Sequence, residues 1–382
     1  MSTGFNLLSL KKEDTQNFKN LYRKHVLVGE DIFTVALLLE LVEKYGKEQV
    51  LWICPREVQI ADLLPLGPSQ LRGRENIQKF KQLFPEIDLE IYERPAEFFK
   101  DLKWKEFGGR SRPEKLLYNE NFFTECRGDF NIEELFPFLK EEGLTAKLQE
   151  LRHNIGLKSV EKTLSDDLAE PHHFELVLTD NTRVKCETLY WGESAESFLN
   201  IYKDKNKLET DFITFCESTH TPSALYVRLV FERPITEKEA TLFIPLSYTH
   251  EWGHFVGEFH SHENNQQVAN FVTFLEADST NEDEISKKIR LLKKNCEKIF
   301  GVTIKEIEEE YIKLSTTSSC LKIDDSLAKS FETQWGYLKL ISVNAPLEFF
   351  NAKDSSFEDS KSIPSTFIRG VLRNQEIIHS LT

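Results

Sequence analysis

Four of the ten histidines fall within one short stretch, His250-Glu251-Trp252-Gly253-His254-Phe255-Val256-Gly257-Glu258-Phe259-His260-Ser261-His262. The spacing H-E-x-x-H-x-x-G-x-x-H can hold zinc. On a helix His250 and His254 share a face, Gly257 lets the chain turn back, His260 supplies a third imidazole, and Glu251 stands as general base to a zinc-bound water. As a β-strand the same residues give a different result. His250, Trp252, His254, Val256, Glu258, His260 and His262 then line one face, with Gly253, Phe255, Gly257 and Phe259 on the other. His250 and His254 would be about 13 Å apart, too far to share one metal. A second group, Gly29-Glu30-Asp31-Ile32-Phe33-Thr34, joins an apolar run to a helical pattern, a place where free backbone amides can seat an anion.

The elements that must position these residues are legible from periodicity. His25–Val28, the helical run Ile32–Tyr45 stopped by Gly46, and the apolar run 49–54 read as a βαβ unit, which implies parallel strands. A helix near Glu75–Leu83 and a third run at Asp88–Tyr92 follow, and residues 115–155 read as helical. Period-two strands are expected at 157–163, 174–179, 183–190, 224–231, 240–245, 253–261 and 268–276. These flanks favour the strand reading of the histidine stretch. Helices are expected at Thr280–Ile299 and Ile304–Tyr311, then a strand at 336–343 and a last helix from Pro364.

This order resembles the flavin-dependent amine oxidase, protoporphyrinogen oxidase and phytoene desaturase superfamily over nearly the whole chain. The resemblance is carried by His25-Val-Leu-Val-Gly-Glu-Asp-Ile-Phe-Thr-Val-Ala-Leu37, Ser159-Val-Glu-Lys162, Asp180-Asn-Thr-Arg-Val-Lys-Cys-Glu187, Leu189-Tyr-Trp-Gly192 and the terminal helix. It implies an α/β fold, with a Rossmann-like FAD/NAD(P)-binding-type parallel sheet domain built from residues 22–95, 155–195 and 330–382. An inserted mixed α+β second domain would comprise a helical segment at 96–154 and an antiparallel sheet plus helices at 196–329. The resemblance also implies flavin-dependent oxidation of an amine or a polyene, with Gly29, Asp31, Thr34 and Val160 at the cofactor. Of the family's G-x-G-x-x-G only Gly29 is present; Asp31 and Thr34 hold the second and third positions. Ile53-Cys54-Pro55 stands where an acidic residue would hold a ribose. These departures point to a degenerate member with FAD absent or weakly bound and a binding or scaffold role, its partner a protein or a small molecule. Two alternatives stay open. One is an active FAD-dependent oxidoreductase. The other is a zinc peptidase resembling the metzincins, with His250, His254 and His260 as ligands and Glu251 as base, although the only methionine is Met1 and the metzincin methionine turn is missing.

Composition narrows the partners. The 63 acidic residues exceed the 48 basic ones for a net charge of −15, and no basic stripe interrupts them, which excludes nucleic acid as a natural ligand. No apolar run is long enough to span a bilayer, and the first residues lack a secretory pattern, so a cytoplasmic setting is expected. The six cysteines form no C-x-x-C. His172 and His173 read as solvated turn residues, Tyr190-Trp191 as core aromatics, and Trp104 to Arg112 as a surface loop.

Overall fold

The structure is a computed structural model that describes residues 20–64, 67–68, 71–106, 126–163, 165, 171–193, 195–218, 223–246, 254–275, 281–315, 337–341, 371, 374–375 and 377–381. Among these, the strands assemble into three sheets.

The first sheet begins with the expected βαβ unit: β1 (Asn20–Val28), α1 (Ile32–Tyr45) and β2 (Val50–Ile53). Asp31 starts α1 by accepting the Thr34 amide, and Gly46 ends it at φ 79°, a backbone state that costs glycine little. The apolar run between them is buried in the largest core cluster. In the sheet, β8 (Arg152–His153), β2, β1 and β11 (Arg183–Trp191) run parallel. The outer edge of β11 is shared by two partners. Its first half pairs antiparallel with β10 (Phe174–Leu178), which carries β9 (Leu157–Lys162), and its last residues pair parallel with β17 (Leu338–Leu340). Tyr190 and Trp191 are core residues. The helices α6 (Ala195–Ile201) and α7 (Thr210–Ser218) pack Phe198 and Phe212 into the second core cluster with Trp191.

The second sheet takes the order β16-β12-β15-β14-β13-β5-β6. Its members are β5 (Glu97–Lys100), β6 (Lys103–Glu106), β12 (Ser223–Phe231), β13 (Leu242–Pro245), β14 (His254–Ser261), β15 (Gln267–Leu275) and β16 (Ile307–Ser315). All neighbours are antiparallel except β13 and β5. The long helix α8 (Glu282–Phe300) buries Leu292 and Cys296 in this sheet's core, and Asn295 Nδ2 donates to the Pro245 carbonyl at 2.5 Å. The third sheet is small and antiparallel, with β7 (Cys126–Asp129) between β3 (Leu71–Arg72) and β4 (Glu90–Glu93). Four further α-helices are α2 (Ile60–Leu63), α3 (Arg74–Leu83), α4 (Ile132–Leu135) and α5 (Leu144–Leu151), and the described residues 371, 374–375 and 377–380 are helical.

Four expectations are corrected. The 96–154 segment is not wholly helical, since it supplies β5, β6, β7 and β8. The run at Asp88–Tyr92 leaves the parallel sheet and becomes β4, because its register partner is β7. Ile304–Tyr311 is no helix: despite its glutamates, residues from Ile307 onward pair along β12, where ladder bonds outweigh helix propensity. His172 is buried, and His173 stacks on Tyr337 with ring centroids 3.5 Å apart, so neither is a solvated turn residue. Trp104 packs against Phe99 and Phe300, whereas residues 107–112 of that loop lie outside the described residues.

Candidate functional site

At the end of β1 the chain turns through Gly29 at φ +132°, and this turn sits against the end of β11. A Cβ on Gly29 would lie 2.9 Å from Gly192 Cα, and one on Gly192 would lie 2.1 Å from Thr34 Oγ1. The close approach of helix and strand that a third fingerprint glycine normally permits is therefore made here by Gly192, leaving room for the Thr34 hydroxyl. Gly192 N donates to the Val28 carbonyl at 2.7 Å, and Trp52 Nε1 donates to the Gly29 carbonyl at 2.8 Å. Gly29, Asp31 and Thr34 are thus brought together. Val160 belongs to another strand of the same sheet. It lies on β9, fully buried, with its carbonyl accepting from the Lys203 amide at 2.9 Å.

Asp31 occupies the helix N-terminus. Its Oδ1 accepts from Thr34 N at 2.7 Å. The residue keeps some solvent contact, yet enough protein surrounds its carboxyl for desolvation to push the pKa up to about 6, against the opposing pull of the Thr34 amide. Glu30 pairs with Arg56 at 3.2 Å, and Glu193, just beyond Gly192, has its carboxyl raised by desolvation although its surface is exposed. Cys54 follows β2 with its thiol on the Arg56 carbonyl at 3.3 Å, and burial pushes its pKa up to about 11. Three carboxylates and one guanidinium therefore border the turn.

From His254 to Ser261 the histidine stretch is a strand. His250 and Glu251 lie outside the described residues, but His254 opens β14 and His260 is near its end. Six strand residues separate those two by about 20 Å, so they cannot ligate one metal, and the zinc peptidase reading is overturned. The faces divide as expected. Phe255 and Phe259 enter the core, and Gly257 is required there because a Cβ would lie 2.1 Å from the Phe271 ring. Glu258 points the other way and is wholly buried, its carboxylate held by Arg127 Nη1 at 2.5 Å and Thr241 Oγ1 at 2.6 Å. His260 follows on the same face, 3.6 Å from the Asp129 carboxylate.

The ordered pairing of a parallel βαβ sheet, its antiparallel β9-β10 flank, the late return of β17 and a second, antiparallel sheet decides the architecture. The fold is that of the flavin-dependent amine oxidases. A variant of putrescine oxidase from a redesign of its cofactor binding superposes with a TM-score of 0.55 at 11% identity, covering 94% of this chain and 100% of that one. Cyclohexylamine oxidase from Brevibacterium oxydans gives 0.53 at 7% identity, covering 94% and 99%. Reduced UDP-galactopyranose mutase gives 0.51 at 8% identity, covering 94% and 96%. No family model and no curated protein matches the chain. Within this amine-oxidase fold, sequence reasoning missed Arg127, Asp129 and Glu193. Arg127 and Asp129 have no fingerprint spacing and meet Glu258 only because β7 is brought beside β14. Among the described residues no helix is long and apolar enough to cross a membrane.

Proposed function

We propose that this chain uses the amine-oxidase fold as a binding protein or scaffold, with a side-chain cap in the seat of the dinucleotide pyrophosphate. The observation that carries this reading is the Asp31 carboxylate on the Thr34 amide at 2.7 Å, at the position of the second fingerprint glycine. A pyrophosphate brought to the same amide would meet that carboxylate at about 4 Å. At an effective dielectric near 20 each such charge pair costs about 4 kcal/mol, or roughly three orders of magnitude in affinity. Glu30 and Glu193 add to the same field, and Arg56 offsets one of them. The residues present therefore do not fit FAD or NAD(P) in the fold's usual pose.

Gly29 favours a second reading, since the turn that begins a dinucleotide cradle is kept, with its positive φ. On that reading the chain is an FAD-dependent oxidoreductase acting on an amine, as the names of two structural neighbours suggest. Titration of the purified protein with FAD and with NADPH at pH 8, followed by fluorescence quenching, separates the two. The scaffold reading expects no saturation below about 100 μM, a loss of roughly three orders of magnitude from a sub-micromolar flavoprotein. Saturable micromolar binding of either dinucleotide would instead establish a working cofactor site.

A further inference from the structure

We propose that Arg228 and Asn270, on neighbouring strands of the second sheet, hold the carboxylate of a small monoanionic ligand with an apolar body. The face of this sheet packed on α8 carries Leu225, Val227, Leu229 and Phe231 of β12. The alternate residues Tyr226, Arg228 and Val230 therefore take the opposite face. Arg228 is in register with Asn270 on β15 and with Tyr311 on β16, and Asn270 with Glu258 on β14. One row of polar side chains thus crosses four strands. Its two ends are satisfied, since Tyr311 donates its hydroxyl to the Asp62 carboxylate and Glu258 is held by Arg127 and Thr241. Its middle is not. Arg228 Nε is sealed from solvent with no acceptor, and neither Arg228 nor Asn270 has a side-chain partner among the described residues.

A guanidinium cannot relieve its burial by losing a proton, so the counter-charge of Arg228 has to be supplied. The acids around it do not supply it. Asp62 serves Tyr311, Glu258 serves Arg127, and Glu309, the diagonal neighbour on β16, is exposed and forms no ion pair with Arg228. Arg228 and Asn270 each keep partial exposure, which leaves the two Nη groups and the Asn270 amide as open donors on side chains that start about 5 Å apart. A planar carboxylate matches this set, with both oxygens on the guanidinium and one shared with the amide. The rows on either side are buried and apolar, Tyr226 with Val272 before and Val230 with Val268 beyond, so the rest of the ligand is apolar too. One guanidinium with Asp62 at the end of its row suits a single negative charge and not a phosphate dianion. The site uses no residue of the Gly29 turn, so it goes beyond the scaffold reading and does not depend on whether a dinucleotide binds.

The test is calorimetric titration of phenylacetate into the full chain at pH 7, with phenethylamine, its cationic counterpart, and inorganic phosphate titrated alongside. Phenylacetate is expected to saturate with a Kd of about 1 mM or below, and the amine and phosphate to bind more weakly. Arg228→Met should weaken phenylacetate at least about tenfold through the lost charge-assisted contact, and Asn270→Leu should weaken it to a smaller degree. Arg183→Gln removes the same charge from β11, where it pairs with Glu175, and should leave the affinity unchanged. A second measurement needs no ligand. Because Arg228→Met removes a charge that has no partner, its urea midpoint should equal or exceed that of the parent, whereas a guanidinium that serves the fold would lower it. No saturation by phenylacetate up to about 10 mM, tighter binding of phosphate or of the amine, equal affinity in Arg228→Met and the parent, or a lowered midpoint of that variant would each overturn the proposal.

Discussion

Replacing Asp31 with Asn separates the cap from its charge. The Asn carbonyl oxygen can keep the Thr34 amide bond, and Asn is as good a cap as Asp, but it carries no carboxylate to desolvate. Desolvation lifts the folded pKa from 3.8 to about 6, a shift of about two units at roughly 1.4 kcal/mol each. The full penalty is therefore about 3 kcal/mol, reduced toward 1 kcal/mol by the residue's partial solvent contact. The sign follows from proton binding. Below about pH 4 the group is protonated in both states and contributes nothing. Between about pH 4 and 6 the unfolded chain ionises first while the folded chain holds its proton, so stability falls as pH rises, and above about pH 6 the penalty is complete. Asp31→Asn should match the parent near pH 4 and exceed it by about 1–3 kcal/mol at pH 8. Urea midpoints of both proteins at pH 4.5, 6 and 8 measure this. A variant less stable than the parent at pH 8, or a gap independent of pH, would refute the desolvation argument.

Other perturbations report on neighbouring features. His25, buried against Tyr190 and Tyr45, has its pKa lowered to about 4 by desolvation and by Lys24; stability should fall as pH drops from about 6.5 to about 4, and His25→Phe should flatten that limb in urea titrations. Gly192→Ala would drive a Cβ to 2.1 Å from Thr34 Oγ1, costing about 3 kcal/mol, with part of the loss recovered in a Gly192→Ala/Thr34→Ala cycle; additive effects would show that the two do not touch. Arg127→Met should destabilise by about 3–5 kcal/mol because Glu258 is left charged and buried, and adding Glu258→Gln should restore most of it. If the double variant is no more stable than the single one in chemical unfolding, the ion pair is not what the loss reflects.

The parts of this fold written in local pattern could be read from the residues, and those made by distant pairing could not. The α1 boundaries follow from Asp31 and Gly46, whose capping roles are local chemistry. The alternation Phe255, Gly257, Phe259 against Glu258 and His260 was legible because a half-buried strand repeats every two residues. The third sheet was hidden, since β3, β4 and β7 are short and β7 meets its two partners only across roughly 33 to 57 residues of chain. Glu308, Glu309 and Glu310 favour a helix in isolation and form β16 only because β12 offers a partner. At the candidate sites, the missing glycines at 31 and 34 were visible in the sequence, whereas Gly192 as their spatial complement was not. Nor could spacing reveal that Glu258 would find Arg127 and that His260 would find Asp129 instead of another imidazole.

The divided edge of β11 sets a problem of timing for the nascent chain. Its first half meets β10 within a hairpin's length, but Leu189, Tyr190 and Trp191 must wait for residues roughly 150 positions further on before β17 covers them. Synthesis at about 5–20 residues per second makes that wait on the order of ten seconds. Until then an apolar strand end stands open beside the finished β1 pairing, a template for wrong partners. Truncations ending before residue 337 should therefore associate or engage chaperones more than the full chain, and β17 acts as a late closing step for this edge of the sheet.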